Sequence, residues 1–230
     1  MTALEEKTYA EYKIIEELMQ DRAFAWAQTA SPDDLQLQYR VYALEDYFRD
    51  MLFENGTETY KLVQVQAKMD GSDNWIDTTI DLPDTLDCFS LSWFTYHVKE
   101  LEDGAAGVFN GMEYSLSVSP QYLTDDSAIL HEMIHLHEFI INLHPLFFHD
   151  AIFWCLYRKL LKEIPDLDER IEAHGHILNS SIIARQGGTH DVLFLLKSFD
   201  LDLQMGYQLG TVFGYGMVDQ RGDLDIQKPL

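Results

Sequence analysis

Apolar residues recur at helical spacing through the first part of the chain. Between about residues 3 and 29, Tyr9, Tyr12, Ile14, Ile15, Leu18, Met19, Phe24 and Trp26 stand among charges, the pattern of an amphipathic helix. Ser31-Pro32-Asp33-Asp34 supplies a cap followed by proline in the first turn. It opens a second helix through Leu35, Tyr39, Val41, Leu44, Tyr47, Phe48, Met51 and Leu52, which Asn55-Gly56 ends. Core packing is the expected role of both helices.

The period then changes to two. YKLVQVQAK with Tyr60, Leu62, Val63 and Val65, FSLSWFTYHV from Phe89 to Val98, Val108-Phe109, and Tyr114 to Val118 read as three or four strands. The acidic stretch between the first two is a long connection with a short strand around Trp75 to Thr78. Asn110-Gly111 marks a tight turn between the last two strands, and Ser119-Pro120 ends the hairpin. His97, on an aromatic strand, reads as a packed or hydrogen-bonded residue.

Residues 124–154 organise the rest: TDDSAILHEMIHLHEFIINLHPLFFHDAIFW. Thr124, Asp125, Asp126 and Ser127 are cap types whose charge suits a helix N-terminus. Ala128, Ile129, Leu130, Met133, Ile134, Leu136, Phe139, Ile140 and Ile141 make the helix apolar around most of its circumference, so it is expected to be central and buried. Pro145 stops it. A second helix from about His149 to Lys162 carries Ile152, Phe153, Leu156, Tyr157, Leu160 and Leu161 on one face. Beyond Asp166 comes a further helix, then a Gly187-Gly188 break. A last apolar segment follows from Val192 to Met217, in which Gly206, Gly210 and Gly214 recur every four residues, a spacing that permits close backbone approach if helical. The fold class expected is α+β: N-terminal helices, a small, mostly antiparallel sheet packed on the central helix, and a helical C-terminal extension. One domain spans 1–164, with 165–230 packed on or beside it.

Inside the central helix, His131, Glu132 and His135 form H-E-x-x-H. Histidines four apart project from one face about 5–6 Å apart at Cβ, a spacing one metal ion can bridge. A catalytic Zn²⁺ takes three protein ligands and keeps one position for water. Glu132 is placed to take a proton from that water. His144 and His149 compete to be the third ligand. His149 is favoured, because a separate packed element holds a ligand more rigidly than a helix-ending turn does. Glu138 orients a ligand or is merely solvated, and His137 falls on the opposite side. His174-Gly175-His176 reads as a helix kink or surface turn.

The hairpin ending in LSVSP, the helix with HEMIH and the downstream HDAIFW together resemble the SprT-like zinc metalloproteases over about residues 89 to 163. The resemblance implies that His131, His135 and His149 bind zinc, that Glu132 is the catalytic base, and that a small α+β domain surrounds them. The chain departs from the family pattern at Asp150, where glycine is common, and in having no cysteine-rich zinc ribbon. Gly188-Thr189-His190-Asp191 weakly resembles the third-ligand motif of the aspzincins, without their later Tyr-Gly pair.

Charge narrows the partners. Sixteen Lys and Arg against 39 Asp and Glu leave a formal net charge of −23 across 230 residues. Such a field repels phosphate backbones and acidic membrane surfaces and favours basic or unfolded cationic partners. Two cysteines, Cys88 and Cys155, make no disulfide framework. No signal-peptide pattern or run of about 18 apolar residues is present, so a cytoplasmic location is expected. The function expected is an intracellular zinc-dependent peptidase that hydrolyses peptide bonds through a metal-bound water. The alternative is a non-catalytic acidic interaction or inhibitor protein with a structural metal, its C-terminal extension contacting a partner.

Overall fold

The computed structural model describes residues 3–49, 62–68, 75–81, 91–143, 156–157, 160, 164, 190 and 192–214. The chain divides into two compact units, one of residues 1–46 and 83–147, the other of residues 47–82 and 148–230. The fold is α+β.

In the first unit, helix α1 (Ala3–Ala27) buries Met19, Ala23 and Trp26. These recur three and four apart along one stripe. Ile14, Leu18 and Phe24, expected in the core, are exposed, Phe24 at 72%. The stripe is narrow, and the alternation of apolar residues with charges did not say which face it followed. Helix α2 (Pro32–Arg49) starts where its cap predicts: Ser31 Oγ accepts the Asp34 N–H at 3.2 Å and Asp34 Oδ2 accepts the Ser31 N–H at 3.0 Å, a reciprocal capping pair. Leu37, Val41, Leu44 and Phe48 form its buried stripe, and Tyr39 is exposed.

Strands β3 (Thr95–Val98), β4 (Gly107–Asn110) and β5 (Ser115–Val118) make a three-stranded sheet in the order β3-β5-β4. β4 runs antiparallel to β5, whereas β3 runs parallel to it, pairing Tyr96 with Leu116. The sheet is therefore mixed, not mostly antiparallel. Residues 91–93 form a 3₁₀ turn rather than the start of a strand, and the hydroxyl of buried Tyr96 donates to Leu91 O at 2.6 Å. Burial holds that hydroxyl's pKa well above its ordinary value, with Tyr42 and Glu45 adding to the effect.

The β4–β5 connection is longer than a two-residue turn. Asn110 Oδ1 accepts the N–H groups of Met112 at 3.0 Å and Glu113 at 3.3 Å, and it is Tyr114, with φ of 52°, that takes the left-handed conformation. Gly111 sits close to a ring. A Cβ there would lie 3.0 Å from the Phe139 ring, which packs against Phe109 and Tyr114 at centroid distances of 5.5 and 5.8 Å.

Helix α3 (Asp126–Leu143) is capped by Asp125, whose Oδ1 accepts the Ser127 N–H at 2.9 Å and the Ser127 hydroxyl at 2.7 Å. Arg40 of α2 pairs with Asp126 and donates to Thr124 O at 3.0 Å, fixing the helix entry. Ala128, Ile129, Leu130, Met133, Ile134 and Leu136 are all fully buried. Each larger one contributes about 1.5–3 kcal/mol by leaving water. The helix packs on β4 and β5 and ends two residues before Pro145.

In the second unit, β1 (Leu62–Lys68) and β2 (Trp75–Asp81) pair antiparallel with each other, as a separate two-stranded sheet. Helix α4 (Val192–Met205) buries Leu193, Phe194, Leu195, Leu196, Phe199 and Leu201. It closes at Gly206, with φ of 69°. Gly206 N–H donates to Leu203 O at 3.2 Å and Tyr207 N–H to Asp202 O at 2.7 Å, the two bonds of a Schellman end. Gly206, Gly210 and Gly214 thus stand at and beyond the helix end, not along it. The Asp202 carboxylate holds the following turn, accepting from Gly210 N–H at 2.6 Å and Val212 N–H at 2.9 Å. No helix among the described residues is long and apolar enough to cross a membrane.

Candidate metal centre

The H-E-x-x-H segment lies in the interior of α3, where the helical repeat turns residues 131 and 135 to the same side. The His131 and His135 rings stand edge to face with centroids 5.3 Å apart. His131 and Glu132 are each 3% exposed, and His135 is half-buried. The apolar residues that interleave with this segment, Leu130, Met133 and Ile134, are packed out of reach of water.

A third imidazole offers a further candidate ligand atom. One ring nitrogen from each of His131, His135 and His190 lies within 4.8 Å of the others. Nitrogens bound tetrahedrally at about 2.0–2.1 Å from zinc are roughly 3.4 Å apart, and the three rings lie close enough to be considered as ligands of one ion. Three neutral imidazoles are a donor set that suits zinc, copper, iron or nickel. His190 is itself braced. Its ring meets Phe194, one helical turn along, at 4.5 Å and Phe213 at 5.7 Å, and those two phenyl rings meet each other at 5.9 Å.

His149, His144, His174 and His176 lie outside the described residues, as does the helix expected from 166; of the helix expected from 149, residues 156, 157 and 160 are described and are helical, with Leu156 and Leu160 buried. His137 is buried but is not one of the three clustered histidines. His97 has the packed role expected of it. Its Nε2 lies 3.1 Å from Thr95 Oγ1, and its ring meets Trp26 at 6.4 Å. The sequence noted His190 only within Gly188-Thr189-His190-Asp191. No periodicity links that segment to the motif helix.

Glu132 faces the sheet. The backbone of Gly107, the first residue of β4, comes so close that a Cβ there would lie 2.5 Å from Glu132 Cγ and 3.0 Å from Oε1. A cavity of about 390 Å³ runs along the same strand, lined in part by Val108, Asn110, Met112, Ser117 and Phe139. No family model, curated protein or solved structure matches the chain.

Proposed function

We propose that this chain is a zinc-dependent peptidase of the H-E-x-x-H type, with His131, His135 and His190 as ligands and Glu132 as general base. The proximity of three imidazoles around a motif that also carries a buried carboxylate is the observation that supports it. Zinc bound there would lower the pKa of a coordinated water toward about 7 and polarise a scissile carbonyl. Glu132 accepts the water's proton and delivers it to the departing amine, a role for which its place directly after His131 suits it. β4 is an edge of its sheet and begins beside Glu132. An extended peptide added to that edge would bring its backbone toward the base.

The substrates best matched to a net charge of −23 are basic or unfolded peptides, and nucleic acid is disfavoured for the same electrostatic reason. The likeness to SprT-like metalloproteases supports the same chemistry through HEMIH, with His149 as its third ligand in place of His190. The test loads the purified protein with zinc and offers an unfolded lysine-rich peptide. Wild type cleaves it, whereas Glu132→Gln keeps the metal and loses cleavage. Equal cleavage by both proteins removes Glu132 as the base. No cleavage by zinc-loaded wild type favours the non-catalytic alternative with a structural metal.

A further inference from the structure

We infer that Gly107 is a positioning residue for the Glu132 carboxylate. The inference rests on Glu132 serving as the base, and it adds a residue outside the motif helix to the machinery.

Three observations carry it. Gly107 is buried at the start of β4, paired with Val118 of β5, and Ser119 N–H donates to the adjoining Ala106 O at 2.8 Å, so its backbone is held on the sheet side. Glu132 is held on the helix side by neighbours His131, Met133 and Ile134, none more than 3% exposed. Between these two fixed backbones there is no room for a methyl group. The distance of 2.5 Å from an added Cβ to Glu132 Cγ, and of 3.0 Å to Cδ and Oε1, is far inside van der Waals contact.

Backbone conformation does not demand glycine here. The described glycines with positive φ are Gly104, Gly206 and Gly210, and Gly107 is not among them. An alanine therefore adopts the same backbone without torsional strain, and its three nearest clashes all fall on the Glu132 side chain. The clash is at Cγ, near the root of that side chain, so relief requires a different rotamer and carries the carboxylate away from its present place. Displacement of a reacting group by about 1 Å can cost on the order of 100-fold in rate.

The experiment uses the full zinc-loaded chain and four proteins: wild type, Gly107→Ala, Glu132→Ala and the double variant. Gly107→Ala is expected to lower kcat for the lysine-rich peptide by about 10- to 100-fold, with KM and zinc affinity little changed. In urea, Gly107→Ala lowers the unfolding midpoint when Glu132 is present and leaves it unchanged in the Glu132→Ala background, where the clashing atoms are gone. Unchanged kcat in Gly107→Ala, or the same midpoint loss in both backgrounds, overturns the inference. If wild type shows no peptidase activity, the peptidase reading falls. The urea cycle then decides by itself whether Gly107 places Glu132.

Discussion

The carboxylate of Asp34, on the first turn of α2, accepts the backbone N–H of Val98 at the end of β3 with an N to O distance of 2.7 Å. The same side chain caps its own helix through Ser31. A local capping signal therefore also joins a helix to a strand more than sixty residues away along the chain. Burial alone would raise this carboxyl's pKa. The N–H donors of Val98 and Ser31 and the Ser31 hydroxyl outweigh it and hold the group below 3.8.

Asp34→Ala is expected to destabilise the protein by about 1–2 kcal/mol, the low end for a charge-accepting bond because the group is half-exposed and water can replace it in part. Asp34→Asn, which keeps an acceptor, should recover some of that loss. Urea midpoints at neutral pH measure both. An alanine variant as stable as wild type would show that the bond to Val98 contributes nothing.

His97 should make stability depend on pH. Burial lowers its pKa below 6.5 and Lys99 adds to the effect, while Asp34 and Glu113 oppose it. Because the folded-state value lies below the unfolded one, the unfolded chain binds more protons between the two. The stabilisation is fully present above about pH 6.5 and is lost as pH falls through the folded value. In metal-free protein, acidification from about pH 7.5 to 5.5 is expected to lower the urea midpoint more steeply in wild type than in His97→Gln. The other histidines are common to both proteins, so their titration cancels in the difference. Parallel slopes would refute the role assigned to His97.

The third metal ligand can be identified by affinity. Even groups that only orient a ligand cost about 10- to 100-fold when removed, so losing a ligand should weaken zinc binding by at least about 100-fold. His190→Ala is expected to show that loss, measured by competition with a chelator, and His149→Ala to leave affinity near wild type. The reverse result assigns the position to His149, as the likeness to SprT-like proteins implies. Loss in both variants indicates four imidazoles and no open position, which fits a structural metal rather than a catalytic one.

What the sequence determined by itself is local. His131 and His135 share a face because a helix turns through 3.6 residues, and the same arithmetic holds wherever the helix lies. Ser31 and Asp125 announced their helices because a cap bonds to donors two or three residues on. Burial around most of α3 followed from the apolar residues on either side of its histidines and glutamates. Tertiary structure decided the rest. That α1 turns Met19 and Trp26 inward and leaves Phe24 in water depends on which neighbour each face meets. β3 lies parallel to β5, a pairing no turn dictates, and Gly206 to Gly214 follow a helix end that Asp202 fastens. Gly107 against Glu132, and β3 beside β5, are contacts across many intervening residues. Their distances are sums over the packing of everything between, and no period or dipeptide in the chain encodes such a sum.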